Sequence, residues 1–229
     1  MAQVVGGRYH LIAHLGGGAS ADVSLAKTDA AAPPPAGAST PPQLVVVKRL
    51  KLGADAEPEI AAQFLEEACL AVRLGHPNIA EAYEAGEGPE GPFLVLEYLE
   101  GQTLARIRSR ANRRGSGVPR AIAIHIAMEV TAGLAYAHDL KDDASKSLRI
   151  VHRDVSPENI VVTYAGATKL VDFSASPLAG AKPNAVPPRG TVAYRAPEQV
   201  KSAVAIVSAG TARRERRAAR SGALARMRR

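Results

Sequence analysis

Five side chains scattered along this sequence could share one piece of chemistry. Val151-His152-Arg153-Asp154-Val155-Ser156-Pro157-Glu158-Asn159-Ile160 offers a carboxylate and a carboxamide five positions apart. Thirteen residues after Asn159 comes the aspartate of Val171-Asp172-Phe173-Ser174. Two carboxylates and a carboxamide at loop and strand ends can hold a divalent cation and orient a hydroxyl. Asp and Asn also cap loops, which explains any one of them but not all three in order. Lys48 closes the apolar run Val45-Val46-Val47, and Glu67 follows 19 residues later. A lysine at a strand end is either solvated or held to face a phosphate, and an ion pair with Glu67 would fix its head. Glu66 competes for that pairing, but helical phase sets the two about 100° apart, so only one faces inward. Gly16-Gly17-Gly18-Ala19-Ser20-Ala21-Asp22-Val23 fits G-x-G-x-x-A-x-V, a run whose backbone N–H groups can meet phosphate oxygens. A plain glycine-rich hairpin reads the same way.

These residues need elements to carry them. Leu11-Ile12 and Val23-Ser24-Leu25 flank the glycines as a hairpin, so the turn does not open a helix as a dinucleotide-binding turn would. Residues 29–43, rich in Ala and Pro, cannot supply a ladder and read as a flexible or polyproline insertion. The pattern from Glu57 to Leu74 predicts a helix with Ile60, Phe64, Ala68 and Ala71-Val72 on its buried stripe. Pro58 fits its first turn. Strands are expected around Ile79–Tyr83 and Phe93–Tyr98. A long helix begins at Pro119, where Ile122, Ile126, Val130 and Leu134 recur every fourth residue and must meet a core. Ile160-Val161-Val162 and Leu170-Val171 bracket a Tyr-Ala-Gly-Ala turn.

Composition sets the class. The chain has 229 residues, 46% hydrophobic and 22% charged, which excludes disorder along its whole length. Its net charge of +7 is held entirely by residues 213–229, with eight Arg and one Glu. That is a basic tail and not a nucleic-acid-binding domain, so no specific nucleic acid is expected. Cys69 is the single cysteine, which permits no internal disulfide and fits a reducing cytoplasm; it reads as a small buried residue. No signal peptide is seen, and the most apolar stretch, 121–135, is interrupted by His125 and Glu129, so no membrane segment is expected.

The ordered set, closed by Gly190-Thr191-Val192-Ala193-Tyr194-Arg195-Ala196-Pro197-Glu198, resembles the protein kinase family over roughly residues 8–198. It is most similar to the bacterial serine/threonine kinases that are like eukaryotic ones. The resemblance implies an α+β, bilobal fold with a β-rich N-lobe over 1–98. A partial helical C-lobe over 99–198 carries the catalytic loop and activation segment, and a disordered basic tail occupies 199–229. It implies ATP and Mg²⁺ as ligands, a protein as substrate, and transfer of the γ-phosphate to a protein hydroxyl. A non-catalytic nucleotide-binding or interaction module derived from a kinase is the alternative.

Residue by residue, the resemblance places Gly16, Gly18 and Ala21 over the phosphates and Val23 against the adenine, with Val46 and Val161 in the same nucleotide-contacting set. Lys48 would bind the α- and β-phosphates and pair with Glu67. Leu96 would be the gatekeeper, with Glu97–Leu99 the hinge. Asp154 would orient the substrate hydroxyl, and Asn159 and Asp172 would ligate the metal. The chain departs from the family pattern in having Ala21 for a glycine, Ser156 for a lysine that would touch the transferring phosphate, and Ser174 for the glycine after Asp172-Phe173. Arg153 suggests control by phosphorylation of the activation segment, whose hydroxyls are Ser174, Ser176 and Thr191. After Glu198 the resemblance implies a helical remainder with a helix starting at an aspartate. Residues 199–229 hold no such segment, so the expectation is a chain truncated after Ala-Pro-Glu, with part of the 122–134 stripe uncovered and activity in doubt.

Overall fold

A computed structural model describes residues 3–17, 21–32, 40–51, 58–148, 150–173, 192–194, 196 and 197. The chain divides into two units, Met1–His152 with Pro157–Ala179, and Arg153–Ser156 with Gly180–Arg229. The second is described only at 153–156, 192–194, 196 and 197, with a 3₁₀ turn at Val192–Tyr194. The insertion's residues 33–39 and the tail from 198 onward lie outside the described residues.

The first unit opens with strands β1 (Val4–Val5), β2 (Tyr9–Gly17), β3 (Ala21–Thr28) and β4 (Leu44–Leu50). Helix α1 (Pro58–Val72) follows, then the hairpin β5 (Ala82–Gly88) and β6 (Gly91–Glu97). These six strands form one antiparallel sheet in the order β1-β2-β3-β4-β6-β5. Period-two alternation gives the sheet two different faces. Val45 and Val47 join Val5, Tyr9, Ala26, Phe93 and Val95 in one buried cluster, while Val46 and Lys48 point the other way. Leu50 and Leu94, on that second face, are covered by Phe64, Ala68 and Ala71 of α1.

Further along, β7 (Gly101–Thr103), α2 (Leu104–Arg113), α3 (Arg120–Asp139), β8 (Ile160–Thr163) and β9 (Thr168–Leu170) complete the unit. Strands β7, β8 and β9 make a second antiparallel sheet in that order. Helix α3 packs on β9, and Glu129 anchors it by accepting the Thr168 N–H at 3.1 Å. Close approach is possible because position 133 is glycine. A Cβ there would sit 3.1 Å from the Asn78 carbonyl oxygen, tighter than ordinary van der Waals contact.

Three expectations about burial need correction. In α1, Phe64, Ala68 and Ala71 are buried, but Ile60 and Val72, at the two ends of the helix, are exposed. Cys69 is exposed, because the buried line of α1 runs through 64, 67, 68 and 71 and leaves 69 on the far side. In α3 the buried line is Ile126, Val130, Gly133 and Ala137, whereas Ile122 is 50% exposed beside Ile124 and Met128. The stripe thus shifts from a strict i+4 repeat toward 3.6 residues per turn as it descends the helix. Helix α3 is also long and apolar enough to cross a membrane by length and composition, a test that core helices pass too. The strand expected from Ile79 begins at Ala82, with Ile79 making only an isolated bridge to Leu170.

Burial pushes two phenols up. Tyr9, whose hydroxyl donates to Glu84, is held well above its ordinary value, chiefly by desolvation and then by that carboxylate. Tyr83 is pushed up to about 12 by burial, with Glu81 and Glu97 adding to the effect.

Candidate active site

Lys48 sits in β4 with its side chain on the face that α1 covers. Cross-strand register puts Val23 and Leu94 beside it, and sets Leu25 and Leu96 beside Val46. Directly paired residues share a face, so Val23, Val46, Lys48 and Leu96 line one side of the sheet. That is four of the residues expected to meet a nucleotide. Glu97 ends β6 and Leu99 follows two residues beyond it, both half-buried.

The lysine's ion-pair partner is the carboxylate Oδ1 of Asp172, with side-chain exposures of 17% and 38%. The resemblance pairs Lys48 with Glu67; the carboxylate that the structure shows against Lys48 is that of Asp172. Glu67 is the inward residue, 6% exposed, whereas Glu66 is exposed. Its Oε1 accepts a hydrogen bond from Gln63 Nε2 at 2.9 Å, one helical turn earlier. The i,i+4 spacing that makes this bond is present in the sequence.

At the glycine turn, Gly16 and Gly17 end β2 and Ala21, buried, starts β3. Gly18 lies outside the described residues. Position 17 has its own steric demand, since a Cβ there would lie 2.8 Å from the Ala21 carbonyl oxygen and 2.9 Å from Asp22 Oδ1. No side chain fits that approach without moving backbone.

The hairpin β8–β9 brings the two expected metal ligands to one end. Asn159 closes a 3₁₀ turn (Pro157–Asn159) just before β8, and Asp172 lies two residues past β9. Register pairs Ile160 with Leu170 and Val161 with Lys169, and the Val171 N–H donates to the Asn159 carbonyl at 3.0 Å. His152, 2% exposed, donates from Nε2 to the Val171 carbonyl at 3.1 Å. The same ring stacks at 4.5 Å, tilted, against Phe173. Behind this joint Glu67, Leu70, Leu74, Ile150 and Phe173 line a small cavity.

Asp172 has φ +63°, the left-handed region that L residues avoid. A carboxylate and a carboxamide are hard oxygen donors, the set Mg²⁺ prefers, and Asp172 already faces a cation in the Lys48 ammonium. Among the described residues no three His, Cys, Asp or Glu gather as a metal cluster, so a divalent ion held by Asn159 and Asp172 would draw its other donors from phosphate and water.

Asp154 belongs to the second unit, where it is half-buried and follows exposed Arg153, whose φ is +64°. Ser156, in place of the expected lysine, is 1% exposed, and its Oγ has no hydrogen-bond partner among the described residues. Ser174, Ser176, Thr191 and Glu198 lie outside the described residues.

One polar link was missed from the sequence. Lys169, in β9, reaches Glu97 at the end of β6 with Nζ to Oε2 at 2.6 Å. The same oxygen accepts the Glu81 N–H at 3.2 Å. Nothing in the spacing of 97 and 169 announces this contact; only the fold does.

Comparison with known proteins bears on the family and the fold. The family model for the protein kinase domain matches residues 9–210. Tyrosine-protein kinase MasK of Myxococcus xanthus is 32% identical over 199 residues, which are 85% of this chain and 29% of that protein. Serine/threonine-protein kinase PrkC of Bacillus subtilis is 30% identical over 205 residues, 88% of this chain and 28% of that protein. The chain thus spans under a third of the length of these relatives. Among solved structures, the PknI kinase domain of Mycobacterium tuberculosis superposes with a TM-score of 0.58 at 26% identity, covering 77% of this chain and 64% of that one. The α+β, bilobal architecture expected from the sequence is the architecture found.

Proposed function

The chain belongs to the protein kinase family, and on that premise we propose that it transfers the γ-phosphoryl group of ATP, with Mg²⁺, to a serine or threonine hydroxyl of a protein. The observation that carries the reading is the meeting of Lys48 and Asp172, 124 positions apart in sequence, on a sheet face shared with Val23, Val46 and Leu96. Phosphoryl transfer asks a protein for charge compensation and alignment more than for covalent help. Lys48 supplies a cation for the phosphates. Asn159 and Asp172 would hold Mg²⁺, which when bound neutralises charge on the transferring group. Val23, Val46, Leu96 and Val161 give the nucleotide base an apolar bed. Asp154 accepts or orients the proton of the acceptor hydroxyl.

A second reading, a nucleotide-binding module without transfer, draws on one pairing: the Lys48 ammonium meets the Asp172 carboxylate. Incubation with radiolabelled ATP and Mg²⁺ separates the two, run beside the Lys48→Met variant. Label on the parent chain and not on the variant supports transfer. Mg²⁺-dependent ATP binding without label selects the module. Phosphoamino-acid analysis then decides the acceptor; phosphotyrosine overturns the serine/threonine assignment, on which the relatives' names divide.

A further inference from the structure

Helix α2 and its flanks concentrate positive charge in a way that helix stability does not explain. Between residues 101 and 128 there are six arginines, at 106, 108, 110, 113, 114 and 120, with no lysine, aspartate or glutamate. All six are exposed. Helical phase gathers Arg106, Arg110 and Arg113 within about 60° on the outer face, opposite Leu104, Ile107 and Ala111, which are half-buried. Arg110 and Arg113 in the last turn do complement the helix dipole. Arg106 does the reverse. It lies in the first turn, which has no acidic residue, and its N–H is capped by Thr103. Like charges at 106 and 110, four apart, also oppose the helix. The row therefore costs stability, and an anionic partner would offset it.

The place of the helix identifies that partner. Helix α2 packs on the 3₁₀ turn Pro157–Asn159, and on β7 and β8. The helix thus borders the turn that carries Asn159, with the arginine row on its outer side. Nucleic acid is a poorer fit, since no aromatic residue lies between 101 and 128 to stack on bases. A bilayer is a poorer fit too, because the apolar side of α2 already lies against its own unit. We infer that the arginine face of α2 is a docking surface for an acidic segment of the protein substrate, selecting acceptor hydroxyls with glutamate- or aspartate-rich flanks. This rests on the kinase reading of the site, and names its substrate class.

The test is fluorescence anisotropy with two labelled peptides, a serine flanked by glutamates and the same serine flanked by glutamines. They are titrated with the full chain in the presence of Mg²⁺-ATP. The parent should bind the acidic peptide about tenfold more tightly, with strong salt dependence. The triple variant Arg106→Gln/Arg110→Gln/Arg113→Gln should lose that preference, the matching triple lysine variant should keep it, and both should bind Mg²⁺-ATP as the parent does. Equal affinity for the two peptides overturns the inference. So does a preference that survives in the triple glutamine variant, or a variant that keeps the peptide but loses a single-stranded oligonucleotide or phosphatidylserine vesicles. Failure of the parent to bind Mg²⁺-ATP instead overturns the kinase reading, while the peptide preference remains measurable by itself.

Discussion

The Lys169–Glu97 pair offers a sharp energetic test, because its two ends are not equally replaceable. The Nζ–Oε2 distance is 2.6 Å and the side chains are 18% and 24% exposed. Exposed ion pairs are worth about 0.2–1 kcal/mol, and hydrogen bonds to charged groups about 1.5–3 kcal/mol. A pair this shielded falls between, at about 1 kcal/mol of coupling. Lys169→Met leaves Glu97 Oε2 still accepting the Glu81 N–H, so the carboxylate is not orphaned and the cost is about 1 kcal/mol. Glu97→Ala strips the partner from Lys169 and from the Glu81 N–H together, so it should cost about 2 kcal/mol. Urea unfolding of both single variants and the double variant measures the coupling, with the slope checked for constancy. Glu97 ends the strand expected to read the adenine, and Lys169 lies in the hairpin between Asn159 and Asp172. Both variants should therefore weaken Mg²⁺-ATP binding as well. A coupling inside about 0.3 kcal/mol of zero, or a Lys169→Met cost equal to that of Glu97→Ala, refutes the reasoning.

Other outcomes follow from the same structure. Asp154→Asn should lower turnover by about 100-fold, about 2.7 kcal/mol of barrier, with Mg²⁺-ATP affinity unchanged in a binding titration. Ile79→Ala, at a site 2% exposed in the cluster of Leu74, Ala137 and Ile150, should cost about 3 kcal/mol and lower the calorimetric Tm by about 6–12 °C. Tyr83 is raised from 10.0 to about 12 and Tyr9 is raised as well, so the folded state holds these protons more tightly than the unfolded chain. Their contribution is complete below about pH 10 and is lost as pH climbs through about 12, so denaturation midpoints should fall in that window while two phenols titrate late in the ultraviolet.

What the sequence revealed was what periodicity and short motifs can encode. Hairpins around the glycine turn and between Ile160 and Leu170 were legible, as were α1 from Pro58 and α3 beginning after Pro119. Helical phase allowed only one of Glu66 and Glu67 to face inward, and the resemblance, not the phase, chose Glu67. Helix α2 was not placed, because its arginines hide its apolar positions, Leu104, Ile107 and Ala111, behind a pattern that reads as a solvated loop. The meeting of Lys48 with Asp172 was out of reach for a different reason. Which carboxylates a lysine meets depends on tertiary distances that sequence spacing does not carry. Exposure failed where a patterned stripe outran its cover, at Ile60, Val72 and Ile122.

Backbone strain at Asp172 ties these observations to function. A left-handed φ at a residue with a side chain costs about 1 kcal/mol or more and persists only where neighbours enforce it. Residue 171 is held from two sides, its N–H on the Asn159 carbonyl and its carbonyl on His152 Nε2, while Phe173 is pinned against the His152 ring. With 171 and 173 both fixed, the chain between them has little choice of direction. His152 is itself fully buried, so this clamp is part of the core and not of a loop that could relax. Aspartate is one of the few side chains that tolerate this region, so the conformation and the residue type agree. The strained position carries a carboxylate, 38% exposed on its side chain and aimed at Lys48. Core hydrogen bonds thus hold an anionic group in one orientation at the mouth of the β8–β9 hairpin, against the Lys48 ammonium.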